Sequence, residues 1–415
     1  MQKVYAHCAG LDVHKKTVVA CRLSVGPAGR RQTDMQTFGT TTAELLQLSD
    51  WLTAGDCTQV AMESTGEFWK PVWNILEGSF ELLLVNAQHL KRVPGRKTDV
   101  QDAEWLADLL QHGLVKASFV PPLEQRDRRD LTRQRTQLVR DRASVINRLH
   151  KVLEGANVKL TSVVSNVVGV SSRAILAELV ADRLHPAQLG DLVRGRLQAK
   201  LPELEQALQG RVRAHHRFLL AQHLAQLDFL EEQIEAYSRE IERLTHPFDE
   251  LLTLLDTIPG VARTTAELIL AEVGADLSRF GSADRLASWA GLAPGNNESA
   301  GKRRSGKTRK GSQWLRAGLV QAAQAAARTK DTYLSAQYHR LAGKRGRKRA
   351  LVAVAHSILV MAYHMMQRRQ PYQELGRNYF DERNQHGTLK RLARRLEKLG
   401  YAVIRQPSPV TPLAL

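Results

Sequence analysis

The chain of 415 residues exceeds the length of one ordinary domain and leaves room for two or three hydrophobic cores. Sixty Lys and Arg against 42 Asp and Glu give a formal net charge of +18, which favours a polyanionic partner such as nucleic acid. Three cysteines without CxxC or CxxH spacing argue against a disulfide framework and a zinc site. No run approaches the roughly 20 apolar residues of a membrane span, and no apolar leader opens the chain, so we expect a cytoplasmic protein.

Residues 1–118 alternate short apolar runs with helical patterns, which predicts an α/β domain. The predicted strands are Val4–Leu11, Val18–Leu23, Gln59–Met62 and Glu81–Val85. The predicted helices are Ala43–Thr53, Phe68–Glu77 and Thr98–Leu110.

Four carboxylates in this domain are candidate metal ligands. Asp12 stands where the first strand ends, Glu63 closes the third, and Asp99 and Asp102 lie three apart on one face of a predicted helix. Open α/β sheets bind ligands in the crevice at the carboxyl ends of their strands. Converging carboxylates repel one another unless cations neutralise them, so the pattern predicts a site for two Mg²⁺ ions about 3.5–4 Å apart.

Each acid also has an ordinary structural interpretation. Asp12 fits a turn, and Asp99 fits the first turn of a helix with Thr98 as its N-cap. Three nearby acids compete for the ligand role, namely Glu67, Glu104 and Asp108. The combination of strand Asp, strand Glu and helical D-x-x-D favours a metal site over the structural interpretations, but spacing alone does not exclude the three competing acids.

Residues 119–250 change to long charged helices with heptad spacing. Leu220, Leu227, Ile234 and Ile241 recur every seven residues, which predicts a coiled-coil seam. Such a seam fits two helices packed within one chain as well as it fits a dimer. Residues 155–210, here called the insert, interrupt these helices with short amphipathic segments. The sequence does not indicate a function for the insert.

Residues 251–366 are predicted to form a mainly helical third domain, followed by a short appendage over residues 367–415. The stretch from Ile258 to Gly260 resembles a helix-hairpin-helix turn, whose N–H groups at a helix start can hold a phosphate whatever the base sequence. Gly260 is therefore a candidate nucleic-acid contact. Ala262 stands where a second glycine is usual, so a purely structural turn is the alternative.

Ser299 is a candidate nucleophile on the glycine-rich loop that runs from residue 293 to 311. The candidate phosphate-binding cations after it are Lys302, Arg303, Arg304, Lys307, Arg309 and Lys310. A serine among such cations could attack a phosphodiester and hold DNA as a phosphoserine ester. The alternative is a plain flexible loop, since no His–Asp pair stands beside Ser299, and Ser305 is a rival nucleophile.

A second basic run contains Arg345, Arg347 and Lys348. A charge run is usually a solvated face, but beside the serine loop it predicts phosphate contacts. Aromatic residues are scarce near it, which disfavours a platform for stacking single-stranded bases.

Five stretches of the sequence carry a family resemblance. The stretches AGLDVHKKT, AMESTG, GRKTDVQDAEWLADLL, IPGVARTTAELILAEVG and WAGLAPGNNESAGKRRSG, in this order, resemble the DEDD transposases of bacterial insertion sequences of the IS110 type. The resemblance covers most of residues 1–365 and is weakest over the insert. It implies an RNase H-like (RuvC-type) amino-terminal domain, coiled-coil helices and a mainly α-helical carboxy-terminal transposase domain.

The resemblance also implies roles for particular residues. Asp12, Glu63, Asp99 and Asp102 match the DEDD ligands, and Ser299 matches the nucleophilic serine. It implies a structured bridge RNA that pairs with donor and target DNA. It further implies a homo-oligomer, a dimer or tetramer, in which the acids of one subunit meet the serine of another.

The sequence therefore predicts a Mg²⁺-dependent, site-specific DNA recombinase that exchanges strands through a phosphoserine intermediate. One alternative is a junction-resolving nuclease that uses the four acids alone, with water as the nucleophile. It would form no covalent protein–DNA species. Another is an architectural nucleic-acid-binding protein with inert acids, whose activities would be insensitive to chelation.

Overall fold

The computed structural model of the chain describes residues 4–25, 30–63, 66–86, 102–295, 297–299 and 301–404, and of residues 297–299 and 302–304 it describes the backbone alone. The chain divides into two compact units, Met1–Pro121 and Pro122–Leu415. Asp99 and its predicted N-cap Thr98 lie outside the described residues.

The first unit is built on a mixed six-stranded sheet in the order β3-β2-β1-β4-β5-β6. Its strands are β1 (Cys8–Val13), β2 (Thr17–Val25), β3 (Arg31–Gly39), β4 (Gln59–Glu63), β5 (Glu81–Val85) and β6 (Ala117–Ser118). β1 is antiparallel to β2 and parallel to β4, and β4 is parallel to β5.

Helices cover both faces of this sheet. They are α1 (Thr42–Ala54), α2 (Trp69–Leu76) and α3 (Asp102–Gln111). One face buries apolar residues of α1 and α2, such as Leu48 and Val72, and the other buries Leu106 and Leu110 of α3. Successive side chains of the central strands β1 and β4 point to opposite faces and are buried on both, and the predicted α/β character of this region is confirmed.

In this sheet one sequence expectation was wrong and the strand β3 was missed. The first strand begins at Cys8 and not at Val4, because the N–H groups of Val4 and Tyr5 donate instead to the carbonyl of Gln111 at 2.8 and 3.3 Å. β3 was not predicted at all. It is an almost entirely exposed edge strand without apolar alternation, and its backbone pairs with β2 along its whole length.

The second unit is mainly helical. Its helices are α4 (Leu123–Gly155), α5 (Leu160–Val163), α6 (Val170–Val180), α7 (Leu189–Leu192), α8 (Leu201–Leu208), α9 (Ala214–Thr245), α10 (Asp249–Asp256), α11 (Arg263–Val273), α12 (Ala283–Trp289), α13 (Gln313–Ala326), α14 (Tyr333–Arg345), α15 (Arg347–Arg368), α16 (Tyr379–Glu382) and α17 (Gln385–Lys398). Short 3₁₀ turns lie at Pro186–Gln188, Gly195–Lys200, His246–Phe248 and Ser278–Phe280. Two short strands, β7 (Asn297–Ser299) and β8 (Lys302–Ser305), form a hairpin.

The predicted heptad seam lies between two helices of the same chain. The N–H of Arg211, just before α9, donates to the carbonyl of Ala156 at the end of α4, at 2.8 Å. Farther along, Arg142 of α4 pairs with Glu231 of α9 at 2.6 Å, so the helices run antiparallel. Leu220 and Leu227 are fully buried in this hairpin. The interpretation as two helices packed within one chain therefore accounts for the repeat.

The insert packs onto the end of this helical hairpin. Leu160, Ile175 and Leu176 share one hydrophobic core with residues of α4 and α9 such as Leu149 and Leu220. Arg173 of α6 adds ion pairs to Asp228 and Glu231 on α9. The insert thus forms a small helical cap that extends the hydrophobic core of the hairpin.

The remaining helices, α10 to α15, form the largest core of the second unit. Leu270, Leu319 and Ile358 are fully buried in it. Contrary to the expectation from the sequence, one helix in the described part of the chain, α15, is long and apolar enough to cross a membrane. Half of its apolar window is buried, and Val354 and Leu359 belong to the core. That is how a core helix of a globular unit packs.

Candidate functional site

Asp12 and Glu63 lie side by side at the carboxyl ends of two neighbouring parallel strands. In the register of β1 and β4, Leu11 pairs with Met62, and the next residues along are Asp12 and Glu63. Adjacent strands are about 4.8 Å apart, and residues in register project from the same face. The chain leaves β1 toward β2 on one side and β4 toward β5 on the other. This reversal of strand order is where open α/β sheets form their ligand crevice.

Helix α3 packs directly on the same face. A Cβ built on Gly10 would lie 2.3 Å from the carbonyl oxygen of Ala103 and 2.5 Å from the nitrogen of Ala107. Closer to the start of β1, the thiol of Cys8 donates to the carbonyl of Ala107 at 3.7 Å. α3 therefore runs antiparallel to β1, and its first described residue, Asp102, lies toward the strand end that carries Asp12.

The immediate contacts of Asp12 leave it open to a ligand. Its Oδ2 is 3.1 Å from Nε2 of His14, and its side chain is 21% exposed. Within the described ranges, no three His, Cys, Asp or Glu side chains lie close enough to hold a metal ion on their own. Mg²⁺ is commonly bound by one or two carboxylates together with substrate phosphates. The hard oxygen donors at this sheet edge fit that mode of binding.

The competing acids are engaged elsewhere. Arg31, on the exposed strand β3, pairs with Glu104 at 3.0 Å and with Asp108 at 2.5 Å. Glu67 pairs with Lys70 at 2.5 Å. Glu104 and Asp108 therefore tie α3 to β3, a structural role that sequence reasoning could not find because it did not predict β3.

Ser299 lies in a β-hairpin and not on the flexible loop expected from the sequence. β7 and β8 pair antiparallel, with Ser299 opposite Lys302 and Glu298 opposite Arg303. Gly301, between the strands, has φ +72°, which only glycine adopts readily. The hairpin backbone thus holds the serine position next to the first residues of the basic segment, Lys302 to Arg304.

Close backbone contact closes the base of this hairpin. A Cβ on Gly311 would lie 2.3 Å from the nitrogen of Gly291, so the two chain segments approach more closely than any side chain permits. The N–H of Gly295 donates to the carbonyl of Lys307 at 3.1 Å. Lys307, Arg309 and Lys310 are exposed on this neck, as phosphate contact requires.

A buried ionic network anchors the neck, and sequence reasoning missed it. Glu272 of α11 is fully buried and accepts two hydrogen bonds from Arg133 of α4, at 2.7 and 3.0 Å. The Ser312 hydroxyl donates to the same carboxylate at 3.0 Å and caps α13 immediately after the neck. A glutamate inside the otherwise apolar run of α11 was the available signal. Its partner Arg133, 139 residues away in the chain, could not be predicted from the sequence.

Gly260 lies in the turn between α10 and α11 with φ +86°. A Cβ there would be 2.4 Å from the carbonyl oxygen of Ala322 on α13, so this glycine is needed for helix packing. At the helix start, the N–H groups of Thr265 and Ala266 donate to the carbonyl of Ala262. The turn thus has a structural role, and its predicted phosphate contact stays a prediction.

The second basic run lies at a sharp corner between α14 and α15. Gly346, with φ +81°, separates the two helices. Arg345, Arg347 and Lys348 are all exposed around it. These cations can reach a phosphate without moving the core.

Comparisons with known proteins match both units of the chain. Residues 9–158 match the DEDD transposase domain of IS110 elements, and residues 252–340 match a domain described as "Transposase IS116/IS110/IS902 family". The insert lies almost entirely between the two matched regions.

Curated relatives agree with these domain matches. The chain is 28% identical to an uncharacterized 44.8 kDa protein of insertion element IS116 from Streptomyces clavuligerus, over 54% of this chain and 62% of that protein. It is 26% identical to the putative transposase y4pF/y4sB of Sinorhizobium fredii, over 76% and 75%. It is 27% identical to the pilin gene-inverting protein of Moraxella bovis, over 35% of this chain and 48% of that protein.

Proposed function

Because this chain belongs to the IS110 family of insertion-sequence transposases, we propose that it is a Mg²⁺-dependent, site-specific DNA recombinase that works through a phosphoserine intermediate. The relatives named as transposases and as a gene-inverting protein support DNA as the substrate. The net charge of +18 supports the same partner.

One observation carries the proposal. Asp12 and Glu63 are the next residues in a continuous parallel register, on the face where α3 begins with Asp102. Carboxylates placed at this sheet edge offer hard oxygen donors to a divalent cation that also binds the substrate phosphate. This arrangement, with the antiparallel β1–β2–β3 ribbon beside parallel β4 and β5, also supports the proposed RNase H-like fold.

Asp12, Glu63 and Asp102 would hold the metal, and Asp99 completes the proposed set. Their hard oxygen donors match the preference of Mg²⁺. Bound there, two Mg²⁺ ions would stabilise negative charge on the phosphate and on the leaving oxygen. His14 beside Asp12 orients that carboxylate and can yield it to an incoming ligand, since the imidazole side chain is 57% exposed.

In the proposed reaction the hydroxyl oxygen of Ser299 attacks a DNA phosphorus atom. The Ser299 oxygen–phosphorus bond forms, a bond between phosphorus and a deoxyribose oxygen breaks, and the serine proton passes to water or to an acidic side chain. The freed sugar oxygen takes up a proton. The hydroxyl of the exchanging strand then attacks the phosphoserine, so the DNA is rejoined and Ser299 regains its proton. Lys302, Arg303 and Arg304 would balance phosphate charge during both steps.

We further propose that a structured bridge RNA supplies sequence recognition and that the active site is shared within a homo-oligomer. The acids belong to the first unit and Ser299 to the second. No His–Asp pair stands beside Ser299 in the sequence, and acids of another subunit would complete its site. Mixing Asp12→Ala protein with Ser299→Ala protein tests this, since only a shared site restores strand exchange in the mixture.

The direct test is covalent capture of DNA. Wild-type protein, Ser299→Ala and Ser305→Ala are incubated with labelled donor and target DNA, Mg²⁺ and the non-coding transcript encoded beside the gene. The samples are then denatured and separated by electrophoresis. Wild type and Ser305→Ala should give a denaturation-resistant protein–DNA species that Ser299→Ala lacks. Adducts with Ser299→Ala would disprove the serine assignment, and DNA cleavage without any adduct would favour the junction nuclease.

A further inference from the structure

We propose that helix α17 and the facing surface of α14 form a groove that binds the phosphate backbone of duplex nucleic acid. Most of the groove lies beyond residue 340, where the second domain match ends. The inference rests on the proposed function only in that the protein acts on nucleic acid. None of the cations on α17 was a candidate from the sequence.

Helix α17 carries its positive charge on one face. Its cations, at the spacing of neighbouring turns, are Lys390, Arg391, Arg394, Arg395 and Lys398. At 100° per residue they fall within one arc of roughly 140°, while Leu392, Leu396 and Leu399 lie on the opposite side. The helix therefore presents a basic stripe and an apolar stripe on separate faces.

The basic stripe lines two adjoining cavities. The first, of about 420 Å³, is walled by Gly387 and the five cations of α17. The second, of about 460 Å³, shares Gly387 and Arg391 with the first and adds Arg340 and Lys344 of α14. Asp381 is the one acid among the residues that line them. The first cavity is an open surface lined by α17 alone, and residues of α14 line the second together with those of α17.

Most of the charge in this groove is not neutralised by the protein. Asp381 reaches Arg391 only at 3.8 Å, and Arg377 pairs with Asp331. Over residues 301–404, as far as side chains are described, no acid forms an ion pair with Lys390, Arg394, Arg395 or Lys398. These residues include like-charged neighbours four apart, which destabilise an isolated helix. A sequence that breaks a local rule in this way indicates a functional surface, and an external polyanion removes the repulsion.

The charge of the groove, without a free aromatic face, favours the phosphate backbone of a duplex over unpaired bases. Its aromatic residue, Phe380, is already occupied, stacked on Tyr333 and covered by the guanidinium of Arg340 at 4.9 Å. No aromatic face is thus offered for stacking unpaired bases. An anionic bilayer is the competing partner of a basic amphipathic helix, and the test therefore includes phospholipid vesicles. At its end, Lys344 leads into the exposed cations Arg345, Arg347 and Lys348, so the charged track continues along the unit.

The test is salt-dependent binding of short DNA and RNA duplexes of arbitrary sequence, measured by fluorescence anisotropy in EDTA. The groove variant combines Lys390→Gln, Arg394→Gln, Arg395→Gln and Lys398→Gln. The control removes the same charge from exposed positions in and beside the insert, with Arg194→Gln, Arg196→Gln, Lys200→Gln and Arg211→Gln. Circular dichroism and thermal melting check that both variants fold as wild type does.

The groove variant should bind at least about tenfold more weakly at roughly 0.1 M salt, with a salt slope smaller by about 2–4, because each lost phosphate contact removes about 0.9. The control should change much less. Whether the loss is larger for RNA or for DNA identifies the source of the backbone. Equal losses in both variants, unchanged binding in the groove variant, or loss of binding to anionic phospholipid vesicles alone would overturn the proposal.

This assay is independent of the proposed chemistry. EDTA removes any metal-dependent step, so binding through the groove is measurable even if Ser299 forms no adduct. Conversely, adduct formation by wild-type protein would stand even if the groove variant bound both duplexes normally.

Discussion

Substitution of Gly10 by alanine should disturb the proposed metal site without touching any proposed ligand. Gly10 lies two residues before Asp12 on the same face of β1, directly under α3. An added Cβ would meet the backbone of Ala103 at 2.3 Å and of Ala107 at 2.5 Å. Backbone atoms of a packed helix cannot rotate away as a flexible side chain can, so α3 as a whole must move.

The size of the effect follows from these distances. Ordinary contacts between such atoms begin near 3.5 Å, so α3 must retreat by about 1 Å. Overpacking of this kind costs about 1–3 kcal/mol of stability. A misplacement of about 1 Å at a reacting centre can lower a rate by about 10²-fold. Asp102 begins the helix that moves, so strand exchange should fall by roughly that factor.

The measurement pairs initial rates of strand exchange with thermal melting of the full-length protein. Gly10→Ala should lower both, with the melting of the first unit shifted by about 4 °C per kcal/mol. Gly155→Ala is the matched control, because a Cβ at that helical position meets nothing within 4 Å. The control should melt at the wild-type temperature or slightly higher. Wild-type exchange and melting in Gly10→Ala would refute the packing argument.

Further predictions concern the acids, the buried network and the thiols. In rate assays, Asp102→Asn should reduce strand exchange at least about 100-fold, while Glu104→Gln on the same helix should keep most of it. In thermal melting, Glu104→Gln should lose only the partly exposed ion pair with Arg31, about 0.5–1 kcal/mol. Glu272→Ala should lower the unfolding free energy by about 3–5 kcal/mol, because it leaves the partly buried Arg129 and Arg133 without this carboxylate partner. Substitution of the exposed Glu242 by alanine should change the unfolding free energy little. Burial raises the pKa of Cys8 and Cys21 to about 12 and that of Cys57 to about 11, from about 9. Unfolded thiols ionise first, so stability should fall as pH rises from about 9 toward 11–12, and urea titrations of a triple Cys→Ala variant should lack that part of the fall.

The sequence predicted those parts of the fold that are set by local apolar periodicity. The strands β2, β4 and β5 and the helices around them follow from short apolar runs and helical spacing. β3 could not be found this way, because an exposed edge strand is held by backbone pairing and needs no apolar residues. Because β3 was missed, the ion pairs of Arg31 on that strand were missed as well. These ion pairs explain why Glu104 and Asp108 are not free to act as metal ligands.

The heptad repeat shows a similar limit in the second unit. The repeat identified the buried seam at Leu220 and Leu227. It could not identify the partner helix, because a leucine stripe does not specify which helix packs against it. The groove at the carboxyl end was equally unreadable. The groove forms because α17 approaches α14. The two helices are separated in the chain, and no sequence pattern connects them. For the candidate site, the strand-end positions of Asp12 and Glu63 were predictable, while the placement of Ser299 in a hairpin depended on close glycine contacts across the neck.

The most direct test of the central claim is the yield of covalent protein–DNA adduct as a function of Mg²⁺ concentration, in wild type, Asp12→Asn and Glu104→Gln. The carboxylates at the strand ends should make the adduct metal-dependent, so wild type and Glu104→Gln should rise from no adduct in EDTA to saturation. Asp12→Asn should stay at least about 100-fold lower throughout. Full adduct yield in EDTA, or an Asp12→Asn yield equal to wild type, would contradict the claim that these acids assemble the reacting centre.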